Sequence, residues 1–85
     1  MENINNLWAM ACYGSIESLM VYYRNDGKRN LRYNRFGKDH SLIMGALRNR
    51  EYETVAFLLS VGETVEPHEM VEFQETYINR FKRKE

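Results

Sequence analysis

The sequence predicts one all-α domain, residues 1–85, built from two helical hairpins that an extended loop connects and a longer C-terminal helix caps. Apolar residues recur at the three- and four-residue spacing of amphipathic helices through most of the chain. Gly14 and Gly62 stand where two of these segments end, as is usual at helix C-termini. A two-helix pattern also repeats, because Glu53 lies 36 positions after Glu17 in a similar context.

The first two predicted helices form a hairpin around Gly14. Gly14 supplies the left-handed residue that ends the first helix, and Ser15 is suited to begin the second. The turn-forming residues 25–27 end the second helix. The predicted apolar faces are Ile4, Leu7, Trp8 and Ala11 in the first helix and Ile16, Leu19, Met20 and Tyr23 in the second.

The next segment, residues 28–38, has no helical period. It contains Gly37 and shows a weak alternation around Leu31 and Tyr33. We therefore expect a loop or a short extended finger that projects from the body of the protein.

Three further helices complete the prediction. Asp39 or Ser41 can cap the third helix, the residues Asn49–Arg50 can separate it from the fourth, and Pro67 suits the first position of the fifth. Their predicted apolar faces are Leu42, Ile43, Ala46 and Leu47, then Val55, Leu58 and Leu59, then Met70, Val71, Phe73, Tyr77, Ile78 and Phe81.

Two segments carry a resemblance to a known family. Residues 7–17, Leu-Trp-Ala-Met-Ala-Cys-Tyr-Gly-Ser-Ile-Glu, resemble the first helix, the glycine break and the second-helix start of an ankyrin repeat. Residues 58–65, Leu-Leu-Ser-Val-Gly-Glu-Thr-Val, resemble the Leu-Leu-x-x-Gly-x-x-Val ending of that repeat. The chain departs from the pattern at residues 41–44, where the family favours Thr-Pro-Leu-His, and at Arg50, where it favours glycine. Its period also exceeds the usual length of about 33 residues.

The resemblance implies two degenerate ankyrin-like repeats, residues 5–38 and 39–65, followed by a capping helix over residues 66–83. Ankyrin repeats bind proteins, so the resemblance implies a binding module. The alternative is an irregular helical bundle.

Charge is strongly segregated along a chain whose net charge is zero. Residues 24–38 carry six cations and one acid. Cations interleaved with aromatic residues suit single-stranded RNA, because phosphates pair with the cations and bases stack on the rings. The same segment can instead bind a protein partner or remain a solvated loop. The candidate binding residues are Arg24, Lys28, Arg29, Arg32, Tyr33, Arg35, Phe36 and Lys38.

Residues 51–75 carry the opposite charge, with seven glutamates and no lysine or arginine. Such a block can attract the basic segment within the chain or in a second copy. It can also imitate the phosphates of a nucleic acid, for which Glu66, Glu69 and Glu72 offer a suitable spacing on one helix side, although that spacing also suits an ordinary solvated face.

The N-terminal end of the predicted array lacks a cap. Trp8, Met10 and Tyr13 are therefore candidates for a surface covered by a partner, including a second copy in a homodimer. The alternative for Trp8 is that it fills the core.

Catalytic chemistry has few candidate residues, and we expect no enzyme. A nucleophile and a base could be assembled only from Cys12, His40 and His68, with Asp39 beside one histidine. Neither histidine forms a close ligand pair, so no metal or cofactor is expected. The histidines suit capping or surface positions near helix starts. The single cysteine and the lack of a long apolar stretch favour a cytoplasmic protein that does not enter membranes.

The leading functional hypothesis is a non-enzymatic adaptor or inhibitor of a protein partner, with RNA as a further component of the complex. A usage rich in Asn, Tyr, Met and Lys, typical of AT-rich genomes, favours a phage-type inhibitor of a host defence factor such as an RNA-cleaving toxin, acting in the host cytoplasm. The alternative is an RNA-binding module that uses residues 24–38.

Overall fold

The computed structural model of the protein describes residues 4–35 and 37–79, with the side chains of residues 4, 5 and 35 outside that description. Two helical hairpins follow one another along the chain, and the protein is mostly helical, as predicted. The first hairpin consists of α1 (Ile4–Tyr13) and α2 (Ile16–Arg24), and the second of α3 (Leu42–Arg48) and α4 (Tyr52–Ser60).

A short strand pair between the hairpins corrects the expectation of a purely helical chain. Strand β1 (Tyr33–Arg35) pairs antiparallel with β2 (Lys38–His40), and Tyr33 stands opposite His40. The weak alternation around Tyr33 was the sequence signal for this extended structure.

The C-terminal segment is helical, but it is not one regular α-helix. A 3₁₀ turn over Pro67–Glu69 leads into α5 (Met70–Phe73), and a π-helical turn follows over Gln74–Ile78. The 3₁₀ and π turns change the rotation per residue, so the apolar face predicted from a period of 3.6 residues is wrong in part. Phe73 is buried and Tyr77 packs on the core, whereas Met70, Val71 and Ile78 are exposed. The predicted contact of Phe81 lies outside the described residues.

The backbone repeats with an offset of 36 residues, as the sequence predicts. The Ser15 N–H donates to the Met10 carbonyl at 2.8 Å, and the equivalent Glu51 N–H donates to the Ala46 carbonyl at 3.0 Å. At the ends of α2 and α4, the N–H groups of Gly27 and Glu63 donate in the same way, to the carbonyls of Tyr22 and Leu58 respectively. All four helices therefore end in the same six-residue hydrogen-bonded turn.

Positive backbone φ angles mark these four turns. Gly14 and Arg50 have φ of 72° and 62°, and Asp26 and Gly62 have φ of 64° and 100°. Each pair is again 36 residues apart. Arg50 thus adopts the backbone conformation that glycine provides in the first hairpin, at a cost that glycine avoids.

The core centres on α3, which is buried from Leu42 to Leu47 and packs against both α1 and α4. Gly45 allows the Trp8 ring to approach α3 closely, because a Cβ at Gly45 would lie 3.2 Å from the ring. The structure therefore favours the alternative in which Trp8 packs on the core.

Candidate functional site

The basic connecting segment folds back on the protein over residues 29–33 and does not project as a finger. Arg29 Nε donates to the Val61 carbonyl, and the Arg29 guanidinium lies over the Tyr23 ring at 5.2 Å from its centroid. Arg32 forms an ion pair with Glu66 and donates to Thr64 Oγ1 at 3.1 Å. Both arginines are therefore engaged within the chain.

Asn30 adds three hydrogen bonds to this attachment. Its side-chain oxygen accepts from the Thr64 N–H at 2.9 Å and the Thr64 hydroxyl at 2.8 Å, and its own N–H donates to Glu63 Oε1 at 3.2 Å. The segments that follow α2 and α4 thus lie side by side. The ion pair between Arg32 and Glu66 joins the basic block to the acidic block within one chain. For these two residues, the structure therefore shows the predicted alternative of attraction within the chain.

Tyr33 is buried, with 2% of its surface exposed, so the prediction that it stacks on a base from an exposed loop is wrong. Its ring packs against Trp8 at a centroid distance of 5.2 Å. A projecting loop would leave the apolar surface of this large ring in contact with water. Burial removes that surface from water, and this stabilises the folded segment. The same contact packs Trp8 against the core, so Trp8 does not join Met10 and Tyr13 as a freely exposed side chain.

Of the remaining predicted binding residues, the structure describes three side chains. Arg24, Lys28 and Lys38 are exposed, and their side chains have no ion-pair partner within residues 4–35 and 37–79. The side chain of Arg35 and all of Phe36 lie outside the described residues.

Two buried carboxylates lie in the acidic block, and sequence analysis missed both. Glu63 is only 4% exposed and accepts a hydrogen bond from the Tyr23 hydroxyl at 2.5 Å. Burial, followed by this hydrogen bond and the charge of Glu63, raises the pKa of Tyr23 well above its ordinary value. No local pattern distinguishes Glu63, since its partners lie more than thirty residues away.

Glu69 is the second buried carboxylate and joins the C-terminal segment to the start of α3. Its oxygens accept from the Ser41 hydroxyl at 2.9 Å, the Ser41 N–H at 3.1 Å and the Glu66 N–H at 2.9 Å. His40 Nδ1 lies 3.2 Å from the same carboxylate. A glutamate three residues after Glu66, with Pro67 between them, is a capping-box pattern and was the available sequence signal.

The acidic block therefore does not present the continuous face that nucleic-acid mimicry requires. Glu63 and Glu69 are buried, Glu66 is paired with Arg32, and Glu72 forms an ion pair with Arg48 at 3.0 Å. The hydrogen bond to Glu72 raises the pKa of Arg48.

His40 is buried, and this corrects the expectation that both histidines are surface or capping residues. Exposed His68 has its Nε2 2.7 Å from the Asp39 carbonyl oxygen, and the two imidazole rings are 5.9 Å apart. These contacts hold β2 against the start of the C-terminal segment. Cys12 is half-buried.

The outer side of the first hairpin is the candidate binding surface. We call it the first-hairpin face and define it by Met10, Tyr13, Met20 and Val21. Tyr13 is 79% exposed and Val21 is 52% exposed. Met10 borders two shallow hollows on this side, one lined also by Asn6, Ala9, Tyr13 and Ser15 and the other by Ser18, Val21, Tyr22, Asn25 and Gly27.

Among the residues that the structure describes, none with a charged side chain lines either hollow. Amide and hydroxyl groups surround apolar and aromatic surface, a composition that suits uncharged side chains of another protein. The predicted interface residues Met10 and Tyr13 thus lie on one surface, while Trp8 packs against Tyr33 and Gly45.

Within the described ranges, no group of three or more His, Cys, Asp or Glu side chains is arranged to hold a metal ion. No helix in those ranges is both long and apolar enough to cross a bilayer. The sequence matches no protein-family model, and comparison with curated proteins and with solved structures finds no match.

Proposed function

We propose that the protein is a non-enzymatic binding module, an adaptor or inhibitor, that binds a protein partner through the first-hairpin face. The observation that carries the proposal is the exposure of Tyr13 and Val21 beside two uncharged hollows. Exposed aromatic and apolar side chains clustered on one surface are typical of protein interfaces.

The opposite end of the helical array supports this assignment. Phe73 is buried there, Glu69 binds Ser41, and Glu72 pairs with Arg48, so the C-terminal segment packs against α3. In an array of helical repeats, each unit needs a neighbour to cover its apolar side. No equivalent segment covers the first hairpin within residues 4–35 and 37–79. A partner protein would supply that neighbour.

The chemistry of the hollows favours a protein over RNA. A phosphate backbone needs cations, and no lysine or arginine of the described ranges lines either hollow. Of the basic residues predicted to contact RNA, Arg29 and Arg32 are engaged with residues 61–66. We therefore propose a partner that presents uncharged, apolar or aromatic side chains. We also propose that the two hairpins are related to ankyrin repeats, which the 36-residue backbone repeat supports. The proposal includes a phage-type inhibitory role, which the amino-acid composition supports.

Site-specific photo-crosslinking tests the proposal. A photoreactive phenylalanine analogue placed at Tyr13 should crosslink a protein in lysate of the native cell, and nuclease treatment should not reduce the yield. The same analogue at Val71, an exposed apolar position on the C-terminal segment, is the control and should give no such product.

Capture by the unlabelled protein should be lost in Tyr13→Ser and retained in Val71→Ser. Capture that disappears after nuclease treatment and is unaffected by Tyr13→Ser would overturn the proposal. It would favour RNA binding through Arg24, Lys28 and Lys38 instead.

A further inference from the structure

The outward side of α2 carries a row of four exposed residues, Glu17, Met20, Val21 and Arg24. Their spacing of i, i+3, i+4 and i+7 places them on one helix side. Met20 is 40% exposed and Val21 is 52% exposed. We call this row the α2 ridge: it has an apolar centre, an acid at one end and a base at the other.

The α2 ridge is complementary to itself when two copies meet antiparallel. A two-fold axis that passes between Met20 and Val21 brings Glu17 of each copy opposite Arg24 of the other. Glu17 and Arg24 are separated by about 10 Å along the helix, at a rise of about 1.5 Å per residue. Two symmetric ion pairs therefore flank one apolar contact, as a two-fold interface requires. A parallel arrangement would place like charges together.

Both charged ends of the ridge are available. Glu17 and Arg24 are exposed, and neither has an ion-pair partner among the described residues. The net charge of the chain is zero, so two copies do not repel each other at long range.

The second hairpin provides an internal comparison. The equivalent row on α4, 36 residues later, consists of Glu53, Ala56, Phe57 and Ser60. It has no base at its C-terminal end, and the Phe57 ring packs against Tyr23 at a centroid distance of 6.0 Å. Of these two helices, only α2 has an acid at one end of the row and a base at the other. The repeated backbone therefore does not by itself produce the self-complementary pattern.

We infer that a second copy of this chain binds the α2 ridge through its own α2 ridge. The two copies then form a two-fold symmetric dimer in which the α2 helices are antiparallel. This inference rests on the proposed function because Met20 and Val21 belong to the first-hairpin face, and it names one partner of that face. Tyr13 and Met10, on the α1 side, are left for the heterologous partner. The ridge consists of four residues, far fewer than the about 20–30 residues per partner of a standard interface, so the dimer is weak.

Sedimentation velocity over roughly 5 µM to 1 mM measures this equilibrium, and a shift from monomer to dimer is expected across that range. Glu17→Arg and Arg24→Glu should each weaken the dimer about tenfold or more, because each places like charges together twice. Glu53→Arg, at the equivalent exposed position of α4, is the matched control and should leave the equilibrium unchanged. Far-ultraviolet circular dichroism checks that each variant is folded.

Mixing the two single variants provides the decisive measurement. The Glu17→Arg variant carries a base at both ends of its ridge, and the Arg24→Glu variant carries an acid at both ends. In an antiparallel pair of unlike variants, every base therefore faces an acid, so the mixture should dimerise at concentrations at which each variant alone stays mostly monomeric.

Two results would overturn the inference. One is a protein that stays monomeric up to about 1 mM, and the other is a mixture that fails to dimerise when the unmodified protein does. Tyr13-dependent crosslinking of another protein is read separately, so failure of the dimer and failure of the proposed function can be distinguished.

Discussion

Replacement of Glu69 by alanine should destabilise the protein more than the same replacement of any other glutamate in the acidic block. The side chain is 2% exposed and accepts three hydrogen bonds, from the Ser41 hydroxyl, the Ser41 N–H and the Glu66 N–H. Alanine would leave these three donors without their acceptor in a buried site. The attachment of the C-terminal segment to α3 would be lost with them.

The size of the effect follows from the number of stranded donors. A buried donor without an acceptor costs about 1–3 kcal/mol, and partial entry of water reduces the total, so we expect Glu69→Ala to lower the free energy of unfolding by about 3–5 kcal/mol. Small domains have total stabilities near the lower end of about 5–15 kcal/mol. Glu69→Gln keeps one acceptor oxygen and turns an amide NH₂ toward the donors, so its expected cost is about 1–2 kcal/mol.

Urea unfolding followed by far-ultraviolet circular dichroism, which reports helix content, measures these differences. Glu75→Ala is the control, because Glu75 is an exposed acid on the same segment, and its expected effect is within about 0.5 kcal/mol. If Glu69→Ala and Glu75→Ala unfold within about 1 kcal/mol of each other, the carboxylate does not hold the segment as described.

Two further changes test the core and the repeated turns. Because the pKa of Tyr23 is raised in the folded state, the unfolded chain loses this proton first, near its ordinary pKa of about 10. Stability should therefore be full below about pH 10 and fall as the pH rises above it, and Tyr23→Phe should flatten this dependence in urea unfolding between about pH 9 and 11. Arg50→Gly should raise the free energy of unfolding by about 0.5 kcal/mol, since glycine tolerates the positive φ but loses more chain entropy on folding. Arg50→Ala keeps the Cβ and should give no gain; an equal gain from both variants would refute the strain argument.

The hairpins could be predicted because their signals are local. Apolar spacing, Gly14 and Gly62 locate the helices and their ends, and the similarity around Glu17 and Glu53 gives the offset of 36 that the backbone hydrogen bonds repeat. Even Arg50, which departs from the family pattern, adopts the expected backbone turn. Local hydrogen bonding and steric limits therefore determine this part of the fold.

The path of the connecting segment could not be predicted because its contacts are distant in sequence. Asn30 binds Thr64, and Arg29 binds the carbonyl of Val61, across more than thirty residues. A run of cations describes composition and does not show whether each cation is exposed. The composition of the segment suggests that Tyr33 stacks on RNA bases, but its ring packs against Trp8.

The two buried carboxylates of the acidic block could not be predicted for a related reason. Charged side chains are rarely buried without partners, so seven glutamates in a helical region suggest a solvated face. Glu63 and Glu69 are exceptions because each carboxylate satisfies several donors at once. Only the three-dimensional neighbourhood shows that these donors converge on one point.

The two hairpins share a backbone but use equivalent positions differently, and this contrast bears on function. Glu63 in the second hairpin is buried and binds Tyr23, whereas its counterpart in the first, Gly27, borders a surface hollow. Ser60 stands on α4 where Arg24 stands on α2. A core-forming role would select similar side chains at equivalent positions of both units. Of these two hairpins, the first exposes the large apolar side chains Tyr13, Met20 and Val21, whereas the described part of the second exposes Leu59. The first hairpin is therefore the better suited of the two to contact another molecule.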